Sequence, residues 1–201
     1  MRWEFRSYAE LSKDELLALL KLRIDVFVVE QACAYPEIDH HDNAATTLHV
    51  LGFATAAPRG AGKSGGAGGS EGSEGSEGSE GSEGHEESEV HEVHEVHEGL
   101  ARSEGSAGEL AAYCRSMPDA QRREVRIGRV VVAEPWRRRG LARTMMLELM
   151  SKVSHLNYEL VLSAQTTVID FYASLGFVIE SDEYLEDGIP HVDMRLRREL
   201  Q

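Results

Sequence analysis

The chain has 201 residues, a formal net charge of −14 and two cysteines, Cys33 and Cys114. That length gives one domain with a real core. The acidic balance argues against broad nucleic-acid binding, and two cysteines make no disulfide framework.

The charge is unevenly placed. Residues 54–107 hold twelve Glu against Arg59, Lys63 and Arg102, which leaves −5 on the rest of the chain, a mild preference for cationic substrates. The thiols read as free in a reducing compartment. No secretory leader or membrane-length apolar run opens the chain, so a soluble, cytoplasmic protein is expected.

Trp3, Phe5 and Ser7 alternate with charged residues, which predicts a half-buried strand over 3–8. Ser12 and Glu15 form a capping box. The helix it opens carries Leu16, Leu19, Leu20, Arg23, Val26 and Phe27 on one stripe. A polar loop follows, with Glu30, Gln31, Tyr35, Glu37, Asp39 and Asp42; loop acids are as often solvated or structural as functional. Cys33 in this loop reads as a small buried filler. Residues 46–53 form the next strand, and another begins near Glu109.

Between those two strands lie Gly-Ser-Glu repeats from Ser70 to Gly84 and His-Glu-Val repeats from His91 to His97. Such tracts cannot bury enough apolar surface to fold, so a disordered insert is expected over 54–107. Its closure cost grows only logarithmically, at ~2 kcal/mol. The remaining chain, on the order of 150 residues, is a usual domain size. Ala57 to Ser64 imitates a relaxed Walker A loop, but no helix can follow it in a glycine-rich stretch. The His85, His91, His94 and His97 spacing contains no H-E-x-x-H pair, and no metal is expected.

The most informative stretch runs from Val125 to Met150. Val125, Ile127, Val130, Val131 and Val132 read as a buried strand. Pro135, Arg137, Arg138, Arg139 and Gly140 mark a basic turn. Leu141, Met145 and Leu149, with Met146 and Met150 beside them, then fall at helical spacing. Strand, basic glycine turn and helix make a phosphate-binding arrangement, because the first helical turn has unpaired N–H groups and a positive dipole end. Downstream, Leu160 to Gln165 reads as a strand and Thr166 to Leu175 as a helix stopped by Gly176, with strand resuming at Phe177.

These residues carry a resemblance. Arg137, Gly140 and Ala142 fill the fixed positions of the R/Q-x-x-G-x-G/A signature, so the turn looks like the acetyl-CoA site of the GNAT N-acetyltransferases. Phe171-Tyr172 to Gly176-Phe177 resembles a second landmark of that superfamily. The run from Leu22 to Asp39 (L-R-x-x-V-F-V-V-E-Q-x-C-x-Y-x-E-x-D) and the ending Glu186-Asp187-Gly188-Ile189-Pro190-His191 resemble its ElaA-like branch.

The resemblance implies an α/β (α+β) GNAT acyl-CoA N-acyltransferase fold, with a mixed central sheet of about six to seven strands flanked by helices. It implies one domain over 1–201, interrupted at 54–107, that transfers the acetyl group of acetyl-CoA directly to a primary amine, small or protein-borne. Acetyl-CoA would lie along Val130, Val131 and Val132 and against Arg137, Arg138, Arg139, Gly140, Leu141 and Ala142, with Gln165 nearby. A backbone amide near Val132 would serve as oxyanion donor. Tyr172 would be the general acid, with Glu30 and His191 moving the amine proton. Gln31, Tyr35, Asp39 and Glu186 would meet the acceptor. No nucleic acid or membrane partner is expected, and a homodimer is compatible. The alternatives are an acyl-homoserine-lactone-type synthase, whose nucleotide turn lacks this pattern, and a non-catalytic CoA-binding module.

Overall fold

A computed structural model describes residues 1–32, 36–55 and 108–197. Cys33, Tyr35, the repeats, the Walker-like loop and the histidine tract lie outside the described residues, and so do the expectations attached to them.

The first strand, β1 (Arg2–Arg6), is shorter than the alternation predicts. The Ser7 backbone N–H donates to Glu10 Oε2 at 2.8 Å, and that local bond turns the chain into a 3₁₀ segment at Tyr8–Glu10. The Ser12 capping box forms as expected: Glu15 N–H donates to Ser12 Oγ at 3.1 Å and Ser12 N–H to Glu15 Oε2 at 2.8 Å. It opens α1 (Lys13–Arg23). The chain does not loop out afterwards. It widens into a π-helical segment, Ile24–Glu30, closed by Gln31 N–H on the Val26 carbonyl at 3.0 Å. Such segments are uncommon and concentrate at functional sites.

Two strands, β2 (Leu48–Phe53) and β3 (Leu110–Asp119), pair antiparallel, from Leu48 opposite Ser116 to Phe53 opposite Leu110. Ala54 N–H then donates to the Glu109 carbonyl at 2.8 Å. At Gly108 a Cβ would collide with the Ala54 carbonyl oxygen, so glycine permits this close approach. The chain continues through β4 (Glu124–Val132), α2 (Leu141–Lys152) and β5 (Glu159–Gln165). After these come α3 (Ile169–Ala173), β6 (Val178–Ile179), β7 (Tyr184–Glu186) and β8 (Ile189–Leu196). The predicted helix over 166–175 is split into a 3₁₀ turn, Thr166–Val168, and α3. Gly176 at φ +94° ends it, with Phe177 N–H reaching back to the Tyr172 carbonyl at 3.2 Å.

The strands form one sheet in the order β1-β2-β3-β4-β5-β8-β6, with β7 also on β8. Among the described residues eight strands exceed the six to seven expected, because β6 and β7 span only two and three residues. Both faces of the middle strands are covered, so adjacent residues point to different cores. Val50 and Cys114 pack under Met145, Met146 and Leu149 of α2. Leu51 and Tyr113 pack under Leu19, Leu22 and Val26 on the other face.

Among the described residues only β4 and β5 are parallel neighbours. Their pairing covers Glu124–Glu159, Val125–Leu160 and Arg126–Val161, and ends there. The cause lies three residues on. Tyr113 faces Val131 and Arg115 faces Gly128, so Arg129 and Val130 together oppose Cys114. Arg129 adopts φ +54° in this bulge. A bulge bends its strand and sharpens its twist, and β4 leaves β5 to open a wedge in the sheet.

Candidate active site

The wedge widens into a cleft of about 680 Å³, a size suited to a small ligand or part of a larger one. Val130, Val131, Val132, Ala142, Gln165, Phe171 and Tyr172 are on its walls. Beyond Val132 the chain makes a 3₁₀ turn, Glu134–Trp136, with Trp136 buried against Ala54 and Ala111. Arg138 at φ +57° and Gly140 at φ +76° then curl the backbone into the start of α2. A Cβ built on Gly140 would meet nothing within 4 Å. The N-terminal turn of a twelve-residue helix therefore faces open space without a side chain over it. That suits a pyrophosphate, which needs close backbone approach and unpaired N–H donors.

The three arginines of the turn are employed differently. Arg137 donates Nε to the Val132 carbonyl at 2.8 Å and both Nη groups to Glu30, each at 2.6 Å. Arg139 stacks over Trp136 at 5.3 Å. Arg138 is exposed, and Leu141 is half-buried on the Trp136 cluster.

Glu30 therefore differs from the sequence reading. It belongs to the π-helical segment rather than a loop, and it is not on the cleft wall. The Arg137 hydrogen bonds hold its carboxyl below the usual glutamate range. A carboxylate with a low pKa, already spent on a guanidinium, is a poor acceptor for an ammonium proton.

On the other side of the bulge lies a buried ion network. Arg23, fully buried, donates Nη1 to Asp42 at 2.7 Å and Nε to Glu37. Arg115 donates Nη1 to Asp39 at 2.9 Å and to Asp42. Arg129 donates Nε to Glu37 at 3.1 Å. Three arginines meet three acids, as burial of charge requires. Burial works to raise the Asp42 pKa, but the hydrogen bond from Arg23, with Arg115 beside it, wins and holds the carboxyl down to about 2. Burial likewise opposes ionisation of Asp39, and Arg115 overcomes it, so that pKa is lowered too. Glu37, Asp39 and Asp42 are thus structural counter-ions; only Asp39 of the three reaches the cleft wall. His49 closes the network: its Nε2 bonds the Asp42 carbonyl at 3.0 Å and its Nδ1 the Tyr113 hydroxyl at 2.8 Å. A carbonyl only accepts, so Nε2 carries the proton and Tyr113 donates to Nδ1. Burial keeps that imidazole pKa low.

Tyr172 sits on α3 between Phe171 (ring centroids 4.9 Å apart) and Phe177 (6.0 Å), both edge-on. It is 7 % exposed and opens on the cleft. Among the described residues its hydroxyl has no hydrogen-bond partner. Burial pushes its pKa up, with Cys114 adding to the effect, so the phenol keeps its proton at neutral pH. His191 lies on β8 opposite Gln165 of β5 and Tyr184 of β7, and stacks on the Tyr184 ring at 6.2 Å. Its Nδ1 donates to the Ile189 carbonyl at 2.9 Å, which leaves Nε2 as the acceptor nitrogen. Gln165 Nε2 donates to Gln31 Oε1 at 3.1 Å, joining two predicted residues across the cleft mouth. Glu186 and Asp187 bring exposed acids to the rim through the tight β7–β8 turn, where Asp187 and Gly188 both have positive φ.

The acetyltransferase (GNAT) domain model matches residues 99–198. A UPF0039 protein of Schizosaccharomyces pombe is 32% identical over 98% of this chain and 97% of its own length. The chain belongs to the GNAT acetyltransferase superfamily, in its ElaA-like branch. Its fold matches the solved structure of Escherichia coli ElaA at 28% identity, with a TM-score of 0.67, over 98% of this chain and 99% of that one. An acyl-CoA N-acyltransferase from Pseudomonas aeruginosa gives 29% identity and the same TM-score over 97% of this chain and 98% of that one. Like that superfamily, this GNAT chain carries the fold of an acyltransferase.

Sequence reading missed Arg115, Arg126 and Gly128, all on the cleft wall. A charge inside the apolar run Leu-Ala-Ala-Tyr-Cys-Arg was the available signal for Arg115. Arg23, inside an apolar helical stripe, was the same signal for the network.

Proposed function

We propose that the chain is an N-acetyltransferase that moves the acetyl group of acetyl-CoA directly to a primary amine. The observation that carries this reading is the wedge between β4 and β5 with the Tyr172 phenol, unpaired among the described residues, on its wall. Acetyl-CoA would lie with its pantetheine along the released edge of β4 at Val130–Val132. Its pyrophosphate would rest on the turn Arg137–Ala142, where the N–H groups of α2 are open.

The thioester would then sit beside the bulge, where peptide N–H groups of β4 no longer serve β5 and are available to a developing oxyanion. The neutral amine attacks the carbonyl carbon; a C–N bond forms and the C–S bond breaks. The electron pair leaves on sulfur, and the Tyr172 O–H supplies its proton. The nitrogen loses a proton to His191 Nε2, directly or through water, and that proton restores the phenol through solvent. No covalent enzyme intermediate is needed. Glu30, paired with Arg137, is given the task of steadying the phosphate turn rather than accepting a proton.

The experiment is to mix the protein with acetyl-CoA, longer acyl donors and a panel of amines, and to follow free thiol. Thiol release from acetyl-CoA that needs an amine supports the reading. A preference for long acyl chains favours a synthase, and CoA binding without thiol release a binding module. Tyr172→Phe keeps the ring and removes only the proton donor. It is expected to lower kcat by ~10²–10⁴-fold with little change in CoA affinity. A variant within about threefold of wild type, with chemistry rate-limiting, would remove Tyr172 from the mechanism.

A further inference from the structure

At the end of the cleft far from the phosphate turn, the register of β3 and β4 sets four residues into one patch. Arg115 faces Gly128 and Met117 faces Arg126 across the two strands. Each pair of strand neighbours is two residues apart, so all four present to the same face. All four are on the cleft wall, with His41 beside them.

The two guanidiniums are not fully used. Arg115 is 3% exposed and spends its Nη groups on Asp39 and Asp42, yet its Nε–H is buried without a hydrogen-bond partner. A buried donor left unpaired is costly, so one kept in a native site calls for an acceptor, a ligand atom or an ordered water. That nitrogen faces Gly128. A Cβ there would lie 4.0 Å from Arg115 Nε and 3.6 Å from Met117 Cε, so glycine leaves a carbon-sized space beside the orphan donor. Of the three arginines on the cleft wall among the described residues, Arg115 and Arg129 are neutralised by Glu37, Asp39 and Asp42. Arg126 has no carboxylate partner among the described residues, only the Ser163 hydroxyl at 3.5 Å.

The opposite rim carries the opposite sign. Glu186 and Asp187 lie there with His191, and His191 pairs with Gln165 while Arg126 pairs with Val161 of the same strand. Four residue steps along β5 separate the two ends, about 13 Å, and the Arg126 side chain shortens that reach. The cleft is polarised along its acceptor side: acid where an ammonium would arrive, a spare guanidinium and an unpaired N–H where an anion would rest.

We propose that the acceptor is an amino carboxylate, of the size of an amino acid to a dipeptide, whose carboxylate is held by Arg126 and Arg115 Nε beside Gly128. This rests on the acetyl-transfer reading above and names its substrate class. Both ends of such a zwitterion meet their complement. A simple amine, or one whose carboxylate is masked, leaves the Arg115 donor unpaired.

The test compares glycine, 4-aminobutyrate and glycylglycine, each against its own amide, as acceptors with acetyl-CoA. At least one acid is expected to exceed its amide tenfold or more in kcat/KM. Arg126→Gln, and separately Gly128→Ala, should bring that ratio close to one. The new methyl of Gly128→Ala meets only ordinary contacts, and a thermal melt checks that the variant folds. Calorimetric titration of the same pairs onto the CoA-loaded protein reads the subsite without turnover. Equal use of acids and amides, with thiol released from both, overturns the proposal and leaves acetyl transfer standing. So does a preference that persists in both variants. Selective binding of an acid that Gly128→Ala abolishes, with no thiol released by any acceptor, supports the subsite and refutes acetyl transfer.

Discussion

Along β4 the cleft changes its building material at Arg129. Toward Val132 and the turn at Arg137–Ala142 the useful groups are backbone: a strand edge released from its neighbour, a left-handed Gly140 and the first N–H groups of α2. Toward Glu124 they are side chains, Arg115, Arg126 and Arg129 on the wall, with Arg115 and Arg129 held from behind by Asp42 and Glu37. Backbone recognition suits a cosubstrate whose phosphates and amides are constant. Side-chain recognition suits a partner that differs from one enzyme to the next, since residues can change without altering the strands. The bulge is where the two meet.

The largest effect is expected on the side-chain half. Asp42→Asn leaves Arg23 and Arg115 short of a counter-charge in the interior, and removing one partner of a buried pair costs ~3–5 kcal/mol. A fall in denaturant midpoint of that size is expected, with CoA affinity of the folded fraction little changed. A variant as stable as wild type would show that the network is not a structural keystone.

The same carboxylate sets an acid limit. Its folded pKa of about 2 lies below the ordinary aspartate value of about 3.9. Its contribution is therefore fully present above pH ~4 and is lost as pH falls through 2. It amounts to ~2–3 kcal/mol. Acid unfolding of the wild type should steepen in that window, and the Asp42→Asn curve should be flatter there.

On the backbone half, Gly140→Glu places bulk and negative charge where the pyrophosphate would lie. CoA binding is expected to weaken at least ~100-fold, or ~2.7 kcal/mol, in a protein of unchanged secondary structure. Retention of the wild-type thermal shift with CoA would mean that the cosubstrate does not use this turn.

The smallest effect sharpens the boundary. Glu30→Gln removes a partly exposed ion pair, worth ~0.2–1 kcal/mol, and frees Arg137 for phosphate. CoA affinity should rise by no more than about fivefold, and the acidic limb of the pH–rate profile should stay in place. A shift of that limb would return Glu30 to the role of proton acceptor.

The backbone half was legible in the residues themselves. A β-branched strand, a glycine after basic residues and an apolar helical period are local signals, and local sequence decides where a helix starts and which residue tolerates φ +76°. The place of Tyr172 on the cleft wall was legible only through the resemblance of Phe171–Phe177 to a family landmark. The ion network and the acceptor patch were not. Arg115 and Gly128 become neighbours only through antiparallel register, Arg23 meets Asp42 only when α1 lies on the sheet, and Glu30 reaches Arg137 across 107 positions of chain. Sequence can flag a lone charge in an apolar run, but its partner is chosen by strand order and by the bend at Arg129. Charge pairing at long range is set by which surfaces the topology presses together, and that information resides in the fold rather than in any one stretch of chain.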